Sequence, residues 1–417
     1  MTTSTRARAM LPERVKQLEV DIAGRPSGQL LKHAVYEYRY LRTDLREQPV
    51  VALLMPPTRP TYQDGDLFAP MDQNLPEGDL FLRLRTMFPK QRLTPMHLLA
   101  LIGSNGIGRL GYRLPDAPVP PAPVMLHKAT LLATRYTPQV FDELVQAYLS
   151  TGAGVAGVQP KIMVPDRPSV PIPTLIVKAA SPAYPGLAAN EYLCLAAARR
   201  AGIEVPGFEL SHDGQMLLID RFDIEADGTR LGFEDVAALM GLRVRDIHSD
   251  RKYHGSYQRI AELLQLLQLG SCDLERLFEQ VAFTVMVRNG DGHLKNFGVL
   301  YRDTGPAWLA PMFDVVTTSI YRYTRYEGGP ELEDRTLALK LFAGKGHTRA
   351  YPTVEELHRF GSRVCGVARP AETLQRIAQG MRDALQEAAG DDRIAPALRE
   401  SMRPVWEDGL AYARRAG

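Results

Sequence analysis

The chain has 417 residues, of which 45% are hydrophobic and 24% are charged, a composition typical of globular proteins with two or three domains. Its 50 basic and 48 acidic side chains give a net charge of +2, which excludes a histone-like or polybasic membrane-surface protein. Three scattered cysteines argue against a disulfide framework and favour the reducing cytoplasm. The sequence contains no leader-like or membrane-spanning apolar run, so no membrane partner is expected.

Strands dominate the first part of the chain. Residues 18–31 are predicted as strand, turn and strand, and extended segments follow at Val35–Leu41 and Val50–Met55. A helix is expected after Thr94, with Pro95 at its first position. The proline-rich stretch Pro115–Val124 can continue neither a helix nor a central strand. We therefore expect a small β/α subdomain over residues 1–125.

A second β-rich region is predicted over residues 126–232. Gln139–Leu149 has helical spacing, and a glycine-rich turn then leads into the strand segments 161–164 and 174–180. Residues 188–202 form a helical pattern that ends on a glycine. Further strands are expected before residue 232.

Helical spacing dominates residues 233–417. Residues 233–242 are predicted to be helical, and three more helices are expected between Thr353 and the end of the chain. A β-rich lobe followed by a helical lobe is an α+β, bilobal layout, which often places its active site in the intervening cleft.

The most informative motif is Asn-Gly-Asp-Gly-His-Leu-Lys-Asn at residues 289–296. Its Asp291 and Asn296 have the spacing of the protein-kinase catalytic loop, in which the aspartate accepts the proton of the acceptor hydroxyl and the asparagine binds Mg²⁺. A carboxylate suits a general base, and an amide oxygen is a hard ligand for magnesium. A plain polar turn is the alternative interpretation.

Asp314 follows in an apolar segment, residues 309–316, that is predicted as a strand. A carboxylate in such surroundings is expected to be paired, hydrogen-bonded or on a metal. It would supply the second protein ligand to Mg²⁺, as the aspartate of the kinase Asp-Phe-Gly motif does. A strand-end aspartate that caps a turn is the alternative.

Upstream features complete the order of a kinase. Glycines between Gly152 and Lys161 would let backbone N–H groups approach phosphate oxygens, without matching the P-loop or Rossmann patterns. Lys178 lies in an apolar strand, where a kinase lysine pairs with the α- and β-phosphates of ATP. Glu191 begins the next helix and could orient this lysine. A snorkelling Lys178 and a helix-dipole role for Glu191 are the alternatives.

Several strings together resemble the HipA family of serine/threonine kinase toxins from bacterial toxin–antitoxin modules. They are GVQPK at 157–161, NEY at 190–192, RFD at 221–223, RKYHGSY at 251–257, NGDGHLKNF at 289–297 and APMFDVV at 310–316. The resemblance covers nearly the whole chain and implies a protein-kinase-like fold.

The resemblance also implies residue roles and partners. Asp291 would be the catalytic base, and Asn296 and Asp314 would bind Mg²⁺. The remaining nucleotide-binding residues implied are Ala156, Gly157, Val158, Gln159, Lys161, Lys178, Asp220, Arg221, Phe222, His293 and Lys295. It implies a bacterial protein as substrate, with aminoacyl-tRNA synthetases as the best known cases in the family. A HipB-like DNA-binding antitoxin would restrain the toxin, which would contact DNA only through this antitoxin.

One departure from the family concerns self-inactivation. Well-studied members autophosphorylate a serine shortly before the GVQPK-like segment, where this chain has Gly152 and Gly154. The nearest hydroxyls are Ser150 and Thr151, at the end of a predicted helix. We expect silencing by a partner or by another kinase, not in cis.

Two other hypotheses about the function stay open. The chain could be a kinase-fold corepressor that acts only with an antitoxin, or a small-molecule or lipid kinase. A basic run with aromatic residues could touch DNA or an acidic substrate, but we favour a solvated loop between two helices, because Asp246 and Asp250 dilute its charge. The members of the run are Arg243, Arg245, Arg251, Lys252, Tyr253 and His254. The histidines lack the spacing of zinc ligands, and no zinc site is predicted.

Overall fold

The computed structural model of the chain describes residues 11–41, 48–76, 81, 85–86, 88–117, 126–151, 161–164, 166, 173–179, 184–323, 329, 331–333 and 335–414. For residues 145–151, 161, 246–248 and 323 it describes the backbone alone. The predicted glycine-loop residues Gly152, Gly154, Ala156, Gly157, Val158 and Gln159 lie outside the described residues.

Four strands open the described part of the chain, and three helices close it. Strands β1 to β14 span Gln17–Ile22, Arg25–Lys32, Tyr36–Tyr40, Thr61–Asp64, Leu110–Arg113, Lys161–Val164, Leu175–Ala179, Phe208–Leu210, Met216–Asp220, Gly232–Asp235, Gly298–Tyr301, Trp308–Leu309, Arg322–Tyr323 and Leu332–Glu333. Helices α1 to α11 span Ala69–Asp72, Pro95–Ile102, Lys128–Ala133, Pro138–Thr151, Leu187–Arg200, Val236–Leu239, Tyr257–Leu266, Ser271–Met286, Val354–Arg359, Pro370–Ala388 and Pro396–Arg414. Short 3₁₀ turns occupy Asp246–Tyr253, Leu294–Asn296 and Thr318–Ile320.

The chain divides into two compact units. The first unit contains residues 1–179, 218–251 and 299–305, and the second contains residues 180–217, 252–298 and 306–417. The sequence-based domain boundaries at residues 125 and 232 stay a prediction.

An antiparallel sheet opens the first unit, in the order β4-β3-β2-β1-β5. Strand β1 alternates buried and partly exposed side chains, with Leu18, Val20 and Ile22 in the core, as the period of two in its sequence predicts. The tight turn to β2 uses Ala23 and Gly24, whose φ angles are +50° and +79°. Glycine adopts such angles without steric cost.

Helix α2 confirms the predicted start signal. The Thr94 hydroxyl and the His97 ring close a reciprocal capping box, and Pro95 occupies the first turn. Such a cap satisfies backbone N–H groups that have no partner inside a helix.

The second β region of the first unit contains β6 and β7, which pair antiparallel with Lys161 opposite Lys178. Strand β9 neighbours β7, and its last residues, 218–220, also belong to this unit. Strand β10 neighbours β11. Most residues of β7 and β9 are buried, as expected for strands covered on both faces.

Helices dominate the second unit. Helix α10 packs closely on α5, where a Cβ on Gly380 would lie 2.6 Å from the Ala197 carbonyl oxygen and the Ala201 nitrogen. Helix α11 buries Trp406 completely, and its indole Nε1 donates a hydrogen bond to Thr317 Oγ1 at 2.7 Å. A buried tryptophan needs a partner for this N–H group.

Three predicted elements differ in the structure. Residues 50–55 form a tight bridge between Ala52 and Met55 instead of an extended strand. The segment predicted as one helix from residue 233 begins as strand β10, and only the four residues Val236–Leu239 are helical, capped by Asp235. Residues 310–316 form no strand, because the chain turns at Asp314, whose φ is +53°. For residues 233–235, long-range sheet pairing overrides the local helical spacing. No described helix is both long and apolar enough to cross a membrane.

Candidate functional site

The 289–296 motif follows the long buried helix α8 in the second unit. The helix ends at Met286, and Arg288 then takes a left-handed φ of +57°. Asn289 is buried, and its Oδ1 accepts a hydrogen bond from the Asp291 N–H at 3.1 Å. This local bond fixes the turn that presents Asp291.

Close packing under the turn requires a glycine at position 292. A Cβ there would lie 2.8 Å from Thr284 Cγ2 and 3.2 Å from the Tyr257 hydroxyl oxygen. The Tyr257 hydroxyl donates to the Gly292 carbonyl oxygen at 2.8 Å. These contacts hold the loop against α7 and α8.

Asp291 itself is half-exposed, with 53% of its side chain accessible. Its Oδ1 accepts a hydrogen bond from the Tyr253 hydroxyl at 2.7 Å and lies 4.0 Å from His293 Nε2. An accessible carboxylate in a rigid loop is what a general base needs.

Asn296 closes the short 3₁₀ turn after Asp291. Its Oδ1 accepts a hydrogen bond from the His293 N–H at 2.9 Å. A carbonyl oxygen has two lone pairs, so this bond leaves capacity for a second interaction, such as a cation.

His293 is buried, and burial is the main cause that lowers its pKa well below the ordinary value. The charges of Lys252 and Lys295 lower the pKa further, while the Asp314 carboxylate opposes them. The imidazole is therefore neutral at physiological pH. Its Nδ1 has no hydrogen-bond partner among the described residues.

Asp314 follows a segment that two backbone hydrogen bonds hold in place. The Ala310 N–H donates to the Gly298 carbonyl oxygen at 2.9 Å, and the Met312 N–H donates to the Glu204 carbonyl oxygen at 2.8 Å. The left-handed backbone at Asp314 is uncommon outside glycine and is found preferentially at functional positions.

The structure thus brings Asp291, His293, Asn296 and Asp314 into the same unit, and the field of Asp314 reaches His293. One carboxylate and one amide oxygen, from Asp314 and Asn296, form a donor set that fits Mg²⁺, which keeps several waters and phosphate oxygens as its other ligands.

Lys178 and Glu191 are both buried, at 3% and 1% exposure. Lys178 belongs to the first unit and Glu191 to the second. A fully buried lysine in an apolar strand is not a snorkelling surface lysine. Lys161 has a described backbone only, in β6.

Residues 220–222 leave strand β9 in the first unit. Asp220 accepts from Lys128 Nζ at 3.2 Å, and Phe222 packs edge-on against Phe233. Arg221 forms a buried ion pair with Asp223 at 2.5 Å and donates to the Pro173 carbonyl oxygen at 3.0 Å. The Arg221 side chain therefore stabilises the unit.

Two arginines of the basic run are paired with carboxylates of the first unit. Arg243 forms an ion pair with Asp64, and Arg245 forms ion pairs with Asp72 and Asp66. These charges are compensated inside the first unit and do not favour a role in binding DNA.

Sequence reasoning missed Tyr253 as a neighbour of Asp291. The residue lies in the RKYHGSY string, but only the structure shows that its hydroxyl contacts Asp291 across 38 positions of sequence. The partnership of Asn190 with Thr317 was missed for the same reason.

Comparisons with known proteins bear on this site. The family model of the HipA-like C-terminal domain matches residues 153–389, and the model of the HipA N-terminal domain matches residues 18–113. A Sinorhizobium fredii protein, Y4dM, is 30% identical over 161 residues, which are 35% of this chain and 38% of that protein. A Haemophilus influenzae protein is 27% identical over 208 residues, which are 46% of this chain and 58% of that protein. The names of both class them provisionally as kinases. The matches span less than two thirds of each of these relatives.

A similar solved structure comes from the complex of HipA, HipB and operator DNA of Shewanella oneidensis MR-1. The TM-score is 0.66 at 18% identity, and the alignment covers 95% of this chain and 97% of that one. The match confirms the predicted α+β class.

Proposed function

Because this chain belongs to the HipA family, we propose that it is a kinase toxin that transfers the γ-phosphoryl group of ATP to a serine or threonine of a bacterial protein. The observation that carries the proposal is the loop in which Asp291 is accessible while Asn296 is fixed by its hydrogen bond to the His293 N–H. Asp314 lies close enough to influence His293. These residues match the catalytic and metal positions of kinases.

Asp291 acts as the general base. The acceptor hydroxyl donates its hydrogen bond to the carboxylate, which takes the proton as the oxygen attacks the γ-phosphorus and the bond to ADP breaks. The neutral His293 adds no positive charge that would compete for Asp291.

Asn296 and Asp314 hold Mg²⁺ in this proposal. The bound ion would neutralise charge on the β- and γ-phosphates. The protein's own contribution is to fix the two ligand oxygens, through the 3₁₀ turn at Asn296 and the left-handed backbone at Asp314.

The remaining predicted contacts are assigned by the same proposal. Lys178 pairs with the α- and β-phosphates, and Lys295 and His293 line the phosphate site. The backbone of residues 220–222 contacts the adenine. The segment from Ala156 to Lys161, including Gly157, Val158 and Gln159, is assigned to hold the phosphates.

The proposed partner is a HipB-like antitoxin that binds DNA, so that this chain meets DNA only through it. The support is the similar fold of the HipA chain solved with HipB and operator DNA. We propose a cytoplasmic location for the same module.

A labelling experiment tests the activity. The purified chain is incubated with γ-labelled ATP and Mg²⁺ in a bacterial extract, and labelled bands are identified by mass spectrometry. Asp291→Asn should lower transfer by about 10²–10⁴-fold while leaving ATP binding intact. Asp392→Asn, the same change at an exposed carboxylate of the second unit, is the matched control and should match the parent.

Growth assays separate the toxin from a corepressor. Arrest caused by overexpression should depend on Asp291, since a corepressor would not need a catalytic base. Equal arrest by Asp291→Asn would favour the corepressor, and label in small molecules instead of protein would favour a small-molecule or lipid kinase.

A further inference from the structure

Tyr253 contacts the proposed catalytic base directly. Its hydroxyl donates a hydrogen bond to Asp291 Oδ1 at 2.7 Å. Because 53% of the Asp291 side chain is accessible, packing alone does not fix the carboxylate. A hydrogen bond from a held neighbour can do so.

Two neighbours contact the Tyr253 ring, and a third binds its backbone. Its ring packs edge-on against His293, with centroids 5.3 Å apart and planes at 72°. Lys252 Nζ lies 5.1 Å from the ring centroid. Arg349 donates to the Tyr253 carbonyl oxygen at 2.7 Å. His293 is itself buried in the proposed catalytic loop. The loop that contains Asp291 therefore also positions the Tyr253 ring.

The chemistry of a base with two oxygens gives this contact a role. A bond from Tyr253 to Oδ1 sets the rotation of the carboxylate, and with it the direction from which the carboxylate can accept the acceptor's proton. A base oriented by a third group recurs in enzymes that activate hydroxyl nucleophiles.

We propose that Tyr253 is a positioning residue that fixes the Asp291 carboxylate for phosphoryl transfer, an inference that rests on the proposed kinase activity. The phenol itself does not receive the phosphoryl group. Arg349 supports it by anchoring its backbone.

The test removes the hydroxyl and keeps the ring. Tyr253→Phe is assayed with γ-labelled ATP, Mg²⁺ and casein as a generic acceptor. The ADP formed when water accepts the phosphoryl group is measured in parallel. We expect kcat to fall about 10-fold, the loss that corresponds to a hydrogen bond to a charged group, with the KM for ATP unchanged. Tyr184→Phe, at an exposed tyrosine of the second unit, should match the parent.

A double-mutant cycle separates positioning from general support of the fold. In the Asp291→Asn background, Tyr253→Phe should cost nothing further, because the group that it orients has lost its function. A structural role would instead lower the remaining rate in both backgrounds, and that additive result overturns the inference.

Other outcomes would also test the inference or the proposed function. An unchanged kcat for Tyr253→Phe, while transfer requires Asp291, overturns the inference and leaves the kinase proposal standing. A faster Tyr253→Phe enzyme, or phosphate found on Tyr253, shows that the phenol occupies the acceptor's place and overturns the inference too. If Asp291→Asn transfers phosphate as the parent does, the proposed function itself fails.

Discussion

Asn190 and Thr317 exchange two hydrogen bonds although 127 positions of sequence separate them. Asn190 Nδ2 donates to the Thr317 carbonyl oxygen at 3.0 Å, and the Thr317 N–H donates to Asn190 Oδ1 at 2.9 Å. Both residues are completely buried. The side-chain amide thus replaces a strand partner for the chain three residues after Asp314.

Asn190→Ala should therefore destabilise the protein strongly. It leaves a buried N–H and a buried carbonyl of Thr317 without these partners, which we expect to cost about 2–4 kcal/mol. Urea unfolding measures the loss. The control, Gln375→Ala, removes an amide from an exposed position of α10 and should change little. Stability equal to the parent's would contradict the role given to this pair.

Asn296→Ala and Asp314→Ala should each reduce the stabilisation that Mg²⁺ and ATP give together. Each removes one of the two proposed protein ligands of a metal whose other ligands are waters and phosphates. Thermal-shift titration with ATP, with and without Mg²⁺, measures the effect. Asp392→Ala serves as the control for an exposed carboxylate. Full stabilisation of both variants by Mg²⁺ and ATP would show that the metal assignment is wrong.

Stability should depend on pH through Glu234. Burial raises the pKa of this carboxyl to about 7, although the Leu53 N–H and the Tyr301 hydroxyl donate to it and Arg109 is nearby. Its ordinary value is 4.5, so the folded state binds more protons than the unfolded state between pH 4.5 and 7. Stability from this group is present below pH 4.5 and is lost as the pH rises through 7.

Glu234→Gln removes the titration and keeps an acceptor for both donors. Relative to this variant, the parent should lose about 3 kcal/mol between pH 4.5 and 8, from the difference between the two pKa values. Melting curves of both proteins across this range measure it. Glu407→Gln, at an exposed position, should keep the pH dependence of the parent. Parallel curves for the parent and Glu234→Gln would refute the assignment.

Gly409→Ala should destabilise the second unit although alanine favours helices. The added Cβ on α11 would overlap the carbonyl oxygen of Met286, the last residue of α8. We expect a loss of at least about 2 kcal/mol, because backbone cannot yield as a flexible side chain can. Gly390→Ala is the control, since its Cβ meets nothing closer than 3.8 Å. Chemical denaturation of both variants decides, and equal stability would count against this packing.

The parts of the fold that depend on neighbours along the chain could be predicted from the sequence. Alternating residues in β1, the Thr94 cap and the spacing of Asp291 and Asn296 are local patterns, and the structure has the first two elements where they were predicted. Local turn chemistry also explains why Asn289 supports the loop of residues 289–296.

Tertiary structure decided what depends on distant partners. Residues 233–235 have helical spacing, yet they form strand β10 beside β11 because a sheet ladder satisfies their backbone. Tyr253 reaches Asp291, Asn190 reaches Thr317 and burial shifts the pKa of Glu234 only once the chain has folded. Hydrogen bonding and desolvation act between groups that are close in space, and local periodicity does not encode which distant groups those are.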